Sequence, residues 1–181
     1  ARDGSTSMQD YNLHTSVLRH RSEYFNTKLK ELKPNPRNPV TTFDVESLAA
    51  FECFTVWLYQ GTLTRPSATQ DLSRMIICQI YIFGTRAESP HLQNAALDAF
   101  VDKTLHDDAV PHIVFNYLYS NAHNSALWDI ALDFLWHCGT KREFSVSEFL
   151  EREGATVCGW YHNHPAADKR DGWLFWFDLP V

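Results

Sequence analysis

The most constraining feature of the sequence is the stretch from Met75 to Phe83, which is apolar on both sides of a helix. One side of that helix carries Leu72, Met75, Ile76, Ile80 and Phe83 at helical spacing. The opposite side carries Ile77, Cys78 and Ile82. A helix that is apolar all round is buried in a core, and this stretch is far shorter than the roughly 20 residues that span a bilayer. The sequence therefore predicts a globular fold built around this helix.

Composition and charge exclude two classes of protein. Hydrophobic residues make up 44% of the chain and aromatic residues 14%, which excludes disorder along the whole length. The formal net charge is −6, and the basic clusters at Arg19/Arg21 and Lys141/Arg142 are short. Because a nucleic-acid surface needs clustered Lys and Arg, we expect no nucleic-acid partner.

The cysteines and the N-terminus indicate the cellular compartment. The four cysteines are widely spaced and form no Cys-x-x-Cys pair, so they are predicted to be reduced and mostly buried thiols. Residues 1–10 are polar and contain no apolar signal-peptide core. These features predict an intracellular protein, cytoplasmic or nuclear, with no membrane partner.

The first half of the chain is predicted to mix strands and helices. Tyr11-Asn12-Leu13-His14 alternates as a short strand would, and two short helices follow between Val17 and Leu32, interrupted at Arg21-Ser22. Val40 to Val45 is predicted to form a second strand. Asp44 is expected to cap the next helix, which Gly61 ends.

The second half is predicted to be helical. Ser89-Pro90 has the residues typical of an N-cap and first helical position. Further helices are expected over Pro111–Tyr119 and Leu127–His137, the second ended by Gly139. The apolar stripe of that second helix consists of Leu127, Ile130, Ala131, Phe134 and Leu135. Ser145-Val146-Ser147-Glu148 is a capping-box pattern for a last short helix. The expected fold class is therefore α+β: a helical cluster with a small β-sheet and a helical C-terminal extension.

Three segments resemble the BTB/POZ family, of the type abundant in fungi. They are Tyr11 to Leu18 with Arg21-Ser22-Glu23-Tyr24-Phe25, Phe51 to Gly61, and Gln79-Ile80-Tyr81-Ile82-Phe83-Gly84 through His91-Leu92-Gln93-Asn94-Ala95-Ala96. The resemblance implies a BTB/POZ domain over residues 11–105 and a helical extension with an aromatic tail over 106–181. Residues 1–10 would be a loop or the remnant of a truncated first strand.

The signature residues of this resemblance have a structural interpretation. Apolar and aromatic residues at helical spacing usually form the core, and a serine at a helix junction makes local hydrogen bonds. We therefore expect core and turn positions for His14, Leu18, Ser22, Phe25, Trp57, Leu58 and Tyr59.

The resemblance implies protein binding rather than catalysis. Members of the family associate with themselves or act as adaptors and scaffolds, including for cullin-type ubiquitin ligases. The helix pair after Leu105 lies where ligase-adaptor members carry an accessory helical pair. Its candidate contact residues are Phe115, Tyr119 and Trp128, because large aromatic side chains dominate interface energetics. The alternative is that these aromatics only cover the preceding helix.

The tail from Gly172 to Pro180 concentrates aromatic residues, including Trp173 and Trp176. Such a segment must be covered. The cover is either the helices of the same chain or a partner or second copy, which makes Trp173 and Trp176 further candidate contacts.

Cys158, His162 and His164 form the candidate metal site. They offer soft and borderline ligands close together, with His137 or Cys138 as a fourth ligand if the fold brings the tail back. Their spacing matches no standard zinc finger, so no cofactor is expected, and zinc is the alternative. A thiol-dependent catalytic domain using Cys158 and His162 is a further alternative, but the chain lacks hydrolase, P-loop and metalloprotease motifs. The expectation is that the chain is not an enzyme.

Overall fold

The computed structural model describes residues 9–31, 45, 47–63, 72–107, 110–140 and 162. These residues contain seven helices, in the order α1 Thr15–Arg21, α2 Glu23–Glu31, α3 Leu48–Gln60, α4 Arg74–Arg86, α5 Pro90–Asp107, α6 His112–Ala122 and α7 Ala126–Thr140. None of these helices is long and apolar enough to cross a membrane.

The α+β fold class is wrong, because the described residues contain helices and no strand. The predicted strand at Tyr11–His14 is not formed, since a strand needs a neighbouring strand to take its backbone hydrogen bonds. The backbone amide of His14 instead donates to the Tyr59 hydroxyl at 3.0 Å. The Tyr11 ring packs edge-on against Phe51 with centroids 4.8 Å apart. Of the second predicted strand only Val45 is described, and it is not in a strand.

The first two helices confirm the predicted pair and its break at Ser22. His14 is the N-cap residue of α1, and its carbonyl accepts from the amides of Val17 and Leu18, both at 3.1 Å. The Ser22 amide donates to the Leu18 carbonyl at 3.1 Å, and the Ser22 backbone is extended. Ser22 therefore ends α1 and allows α2 to start in a new direction.

Helix α3 begins and ends at residues with capping chemistry. The Ser47 hydroxyl accepts from the Ala50 amide at 3.3 Å, so Ser47 is the N-cap, while Asp44 lies outside the described residues. Gly61 has the left-handed φ of 75° that ends the helix, as predicted, and its amide donates to the Trp57 carbonyl at 2.8 Å.

Helix α4 is the central element, as its all-round apolar pattern predicts. It begins after Leu72, and the Ser73 hydroxyl caps it by accepting from the Ile76 amide at 3.3 Å. Helices α3, α5 and α6 all pack against it. Gly84 allows the closest approach to α5, since a Cβ there would lie 3.0 Å from the Gln93 Cγ. The largest fully buried residues of the core are Phe54, Phe100, Phe134, Ile77, Ile80, Leu92, Leu97, Leu118, Leu127 and Ile130.

The chain from Ser22 to Phe25 is fastened to the turn between α4 and α5. The buried Ser22 hydroxyl donates to the Ala87 carbonyl and accepts from the Phe25 amide at 3.2 Å. The Glu23 amide donates to the Glu88 carbonyl at 3.3 Å, and the Ser89 hydroxyl donates to the Arg21 carbonyl at 2.6 Å. Helix α5 then begins at Pro90, as predicted.

Two predicted helix ends differ from the structure. Helix α6 runs past Tyr119 to Ala122. Helix α7 continues through Gly139 to Thr140. A glycine inside a helix costs only about 1 kcal/mol relative to alanine, so Gly139 alone does not stop a helix. The predicted short helix after Ser145 lies outside the described residues.

Candidate interaction surface

The helical hairpin of α6 and α7 is built by one buried face on each helix. Helix α6 turns Val114 and Leu118 inward. The Ser125 amide donates to the Ala122 carbonyl at 3.1 Å in the tight turn, and the Ser125 hydroxyl accepts from the Trp128 amide at 3.3 Å, which caps α7. The inward residues of α7 are Leu127, Ile130, Ala131 and Phe134. These faces fix which side chains of the hairpin point outward.

The three candidate aromatics of the hairpin form one cluster. The ring of Trp128 lies 6.5 Å from that of Phe115, edge to face, and 5.9 Å from that of Tyr119. Phe115 and Trp128 are half-buried against the core, whereas Tyr119 is 66% exposed. Phe115 and Trp128 therefore do cover part of the core, and Tyr119 extends the cluster into solvent.

Two leucines that the sequence reasoning missed continue this cluster along α7. Leu132 and Leu135 follow Trp128 by four and seven positions, so all three share one helix face. Leu132 is 38% exposed and Leu135 is 51% exposed. Leu135 was expected on the core stripe, but it lies at the edge of that stripe, and only the other four predicted residues of the stripe are buried. The combined surface, called the α6–α7 strip, consists of Phe115, Tyr119, Trp128, Leu132 and Leu135.

Two aspartates of α7 lie next to the strip. Asp129 and Asp133 each follow a strip residue by one position, which places them on the adjoining face of α7. Asp129 is exposed and Asp133 is half-buried. Between positions 105 and 140 the sequence contains four aspartates and no Lys, Arg or Glu. Burial and, to a smaller extent, the charge of Asp129 raise the pKa of Tyr81 on α4, so Asp129 lies near α4 as well as near the strip.

A separate open groove, with a volume of about 400 Å³, lies between the end of α4 and the α6–α7 turn. Its polar lining includes Thr85, Arg86, Asn121, His123 and Ser125. Burial is the main reason that the pKa of Tyr81, at its base, is raised above its ordinary value, while Ser125 opposes that rise. Neither of the described cysteines lines the groove, and Cys158 lies outside the described residues.

The predicted metal site is only partly described. His162 is described, and its Nε2 lies 2.9 Å from an oxygen of Asp98 on α5. The chain therefore returns to the helical cluster at position 162. Cys158, His164 and the side chains of His137 and Cys138 lie outside the described residues. Within the described part of the chain, no three His, Cys, Asp or Glu residues come close enough together to hold a metal ion.

The remaining candidates divide between structural roles and residues that are not described. Trp173 and Trp176 lie outside the described residues.

Most of the signature residues are buried as expected, namely Leu18, Ser22, Phe25, Trp57 and Leu58. His14 and Tyr59 are exposed instead, and they hydrogen-bond to each other because the His14 Nδ1 lies 3.1 Å from the Tyr59 hydroxyl. The expected buried thiols are confirmed for Cys53 and Cys78.

Comparison with known proteins leaves the family open. No family model matches the chain, and neither a curated protein nor a solved structure matches it. The BTB/POZ resemblance therefore stays a prediction that depends on the sequence motifs alone.

Proposed function

We propose that the chain is a protein-interaction module related to BTB/POZ domains, and that the α6–α7 strip is its contact surface. The observation that carries the proposal is the strip itself. Among the described residues, six large hydrophobic side chains are exposed, and Tyr119, Leu132 and Leu135 all belong to the strip. A contiguous exposed apolar surface with a polar border marks an interaction site more often than scattered exposed residues do.

Residues of the BTB/POZ-like motif hold the helices together. Ser22 fastens the α1–α2 junction to the α4–α5 turn. The Arg21 guanidinium lies 5.3 Å from the centre of the Trp57 ring, a cation–π contact that joins α1 to α3. These residues hold helices together, and the part of the chain they hold is the platform for the strip. The proposed role is self-association or adaptor and scaffold binding, with a cullin-type ligase scaffold as one partner class.

The experiment compares the wild-type chain with Tyr119→Ala and Leu135→Ser in affinity capture and in multi-angle light scattering. Because both side chains are largely exposed, we expect thermal stability to stay close to wild type. Loss of a specific partner, or of a dimer, is expected in both variants. Leu48→Ser is the matched control, since Leu48 is 43% exposed on α3, outside the strip.

Retention of every partner and of the oligomeric state by both variants, at unchanged stability, would contradict the strip as the contact surface. Equal losses in Leu48→Ser would do the same, because they would show a general effect of removing exposed leucines.

A metal-stabilised domain is the second candidate function, and the return of His162 to Asp98 favours it. Zinc in proteins is bound by four ligands in structural sites. Metal analysis of the purified chain tests this candidate, and stoichiometric zinc that is lost in His162→Ala would support it. Zinc well below one ion per chain would dismiss it.

A further inference from the structure

We infer that the groove between the end of α4 and the α6–α7 turn binds a short uncharged peptide segment with one apolar side chain. The groove is a different surface from the α6–α7 strip, so the inference goes beyond the proposed function. Its volume, its lining and its charges support this ligand.

The groove has the size and the apolar lining of a site for one side chain. Its volume of about 400 Å³ is within the range of about 300 to 1,000 Å³ that ligand-binding pockets have. Tyr81, Ile82 and Ala122 supply the apolar lining. Tyr81 is 5% exposed and Ile82 is 9% exposed, so surrounding atoms hold both side chains in place. An apolar side chain in the groove therefore packs against a fixed apolar surface.

The two walls of the groove are joined at Tyr81. Burial raises the pKa of the Tyr81 hydroxyl, and hydrogen bonds with the Ser125 side chain and with the backbone of Leu127 and Ala126 partly oppose that rise. Tyr81 belongs to α4, whereas the other three residues lie at the start of α7. The groove is therefore formed before a ligand binds, which reduces the entropy lost on binding.

The rim carries neutral hydrogen-bonding groups that suit a peptide backbone. The Asn121 Nδ2 donates to the Tyr117 carbonyl at 2.8 Å, and the Asn121 side-chain oxygen is an acceptor. Asn124 also lines the groove, is exposed, and carries both a donor and an acceptor. A peptide unit needs one acceptor for its N–H and one donor for its carbonyl. The two asparagines supply both.

The charges at the groove have opposite signs. With histidine counted as neutral, Arg86 is the one charged residue among the described residues that line the groove. Asp129 adds to the rise that burial causes in the pKa of Tyr81, so an anion lies near the same site. One cation and one anion favour neither a positive nor a negative ligand. Recognition therefore depends on apolar contact and neutral hydrogen bonds.

The groove adjoins the α6–α7 strip. The ring of His123, which lines the groove, lies 6.1 Å from the ring of Tyr119 in the strip. A protein that covers Tyr119 can therefore extend a segment into the groove. This continuity favours a segment of a protein over a free small molecule.

The test is a nuclear magnetic resonance titration of the full chain with N-acetyl-leucine amide, which has one apolar side chain between two peptide units. We expect the amide signals of residues 121–125 to shift, with a Kd on the order of 1 mM, as for other ligands of this size. N-acetyl-glycine amide lacks the side chain and should bind about tenfold more weakly. N-acetyl-leucine with a free carboxylate should bind no more tightly than the amide.

Variants of the chain locate the probe. Ala122→Leu adds bulk inside the groove and should weaken binding of N-acetyl-leucine amide about tenfold. Asn124→Ala removes an exposed hydrogen-bonding group and should weaken binding about threefold. Because Asn124 is exposed, this variant keeps the test independent of any effect of Ala122→Leu on folding. Asn12→Ala and Leu135→Ser are exposed controls outside the groove and should leave binding unchanged.

A blocked peptide with a central leucine between serines distinguishes a protein segment from a free ligand. It should bind at least as tightly as N-acetyl-leucine amide, because the groove is open and lets the chain continue on both sides. Exclusion of this peptide, while the amide binds, would make the ligand a free small molecule and would overturn the inference.

Three results of the titration would also overturn the inference. The first is no shift of residues 121–125 at about 10 mM N-acetyl-leucine amide. The second is equal binding of the leucine and glycine amides, which would remove the apolar contact. The third is clearly tighter binding of the carboxylate, which would make the groove an anion site. None of these results bears on the strip, whose own test is the loss of a partner in Tyr119→Ala and Leu135→Ser.

Discussion

Cys78 shows how a single buried side chain links the fold to pH. Its side chain is fully buried in α4, and burial raises the pKa of its thiol from 9.0 to about 12, against smaller lowering effects of a backbone hydrogen bond and Arg74. In the unfolded chain the thiol regains its ordinary pKa. Because the folded pKa is raised, the stability that the neutral thiol contributes is complete below about pH 9 and is lost as the pH rises toward 12.

We therefore expect the free energy of unfolding to fall between about pH 9 and pH 10, before the tyrosines ionise. The Cys78→Ala variant should lose less stability over that interval, with a slope smaller by up to about 1.4 kcal/mol per pH unit. Urea denaturation at several pH values measures both slopes. Equal slopes of unfolding free energy against pH in the two proteins would show that folding does not raise the pKa of the Cys78 thiol.

Ser22 is the residue at which the sequence motif and the structure agree most closely. Its hydroxyl serves two buried backbone groups, the Ala87 carbonyl and the Phe25 amide. Ser22→Ala should lower the free energy of unfolding by about 2 kcal/mol, because both groups lose this partner inside the protein. Chemical denaturation measures the loss.

The matched control for this prediction is Ser120→Ala. The Ser120 hydroxyl donates to the Asn116 carbonyl at 3.0 Å on the exposed side of α6, where water can replace it. Its removal should change stability by less than about 0.5 kcal/mol. Equal losses of unfolding free energy in the two variants would mean that the buried Ser22 hydroxyl contributes no more to stability than the exposed Ser120 hydroxyl.

At the scale of one element, substitutions of Gly61 measure how much a left-handed residue at the end of α3 contributes to stability. A Cβ at Gly61 would meet no atom within 4 Å, so a substitution there tests the left-handed backbone alone. Gly61→Ala should lower the free energy of unfolding by about 1 kcal/mol. Gly61→Asn should cost less, because asparagine adopts the left-handed conformation more readily. Thermal unfolding of the two variants measures the difference, and equal losses would contradict this explanation.

The elements also show where local patterns fail. The alternation at Tyr11–His14 has the period of a strand, but no described segment lies beside it as a partner strand, and the His14 amide pairs with a side chain of α3. Glycine is common at helix ends, yet α7 continues past Gly139. In both cases the local signal is weak, because a strand needs a partner strand and a single glycine costs a helix only about 1 kcal/mol.

At the scale of the whole molecule, the aromatic core joins the helices into one cooperative unit. Phe54 is fully buried, and its ring packs against rings from α2, α3 and α4, namely those of Phe25, Phe51, Trp57 and Phe83. Phe54→Ala should lower the free energy of unfolding by about 4 kcal/mol, through lost burial and the cavity left behind. That is a large share of the roughly 5 to 15 kcal/mol that stabilises most domains.

Circular dichroism and tryptophan fluorescence measure this effect on the whole fold. Both signals should shift together to lower denaturant in Phe54→Ala, because the rings come from three helices. Phe115→Ala, at a half-buried position of the strip, should cost clearly less. A fluorescence transition that separates from the circular dichroism transition would show that the helices unfold independently.

The sequence by itself determined which segments are helical and which helix is central. The end of α3 at Gly61, the start of α5 at Pro90 and the all-round apolar pattern of α4 depend on a few neighbouring residues and are therefore visible without the fold. The candidate aromatics Phe115, Tyr119 and Trp128 were also identifiable, because large aromatic residues are few and their positions on α6 and α7 follow from helical spacing.

Only the tertiary structure decided which face of each helix is buried and which is exposed. It left Tyr11–His14 without a described partner strand, and it buried Phe134 but left Leu135, predicted on the same stripe, exposed. It therefore left Leu132 and Leu135 exposed on the face of α7 that also carries Trp128. The physical reason is that exposure and strand pairing depend on residues far away in the chain, whose positions no local pattern contains.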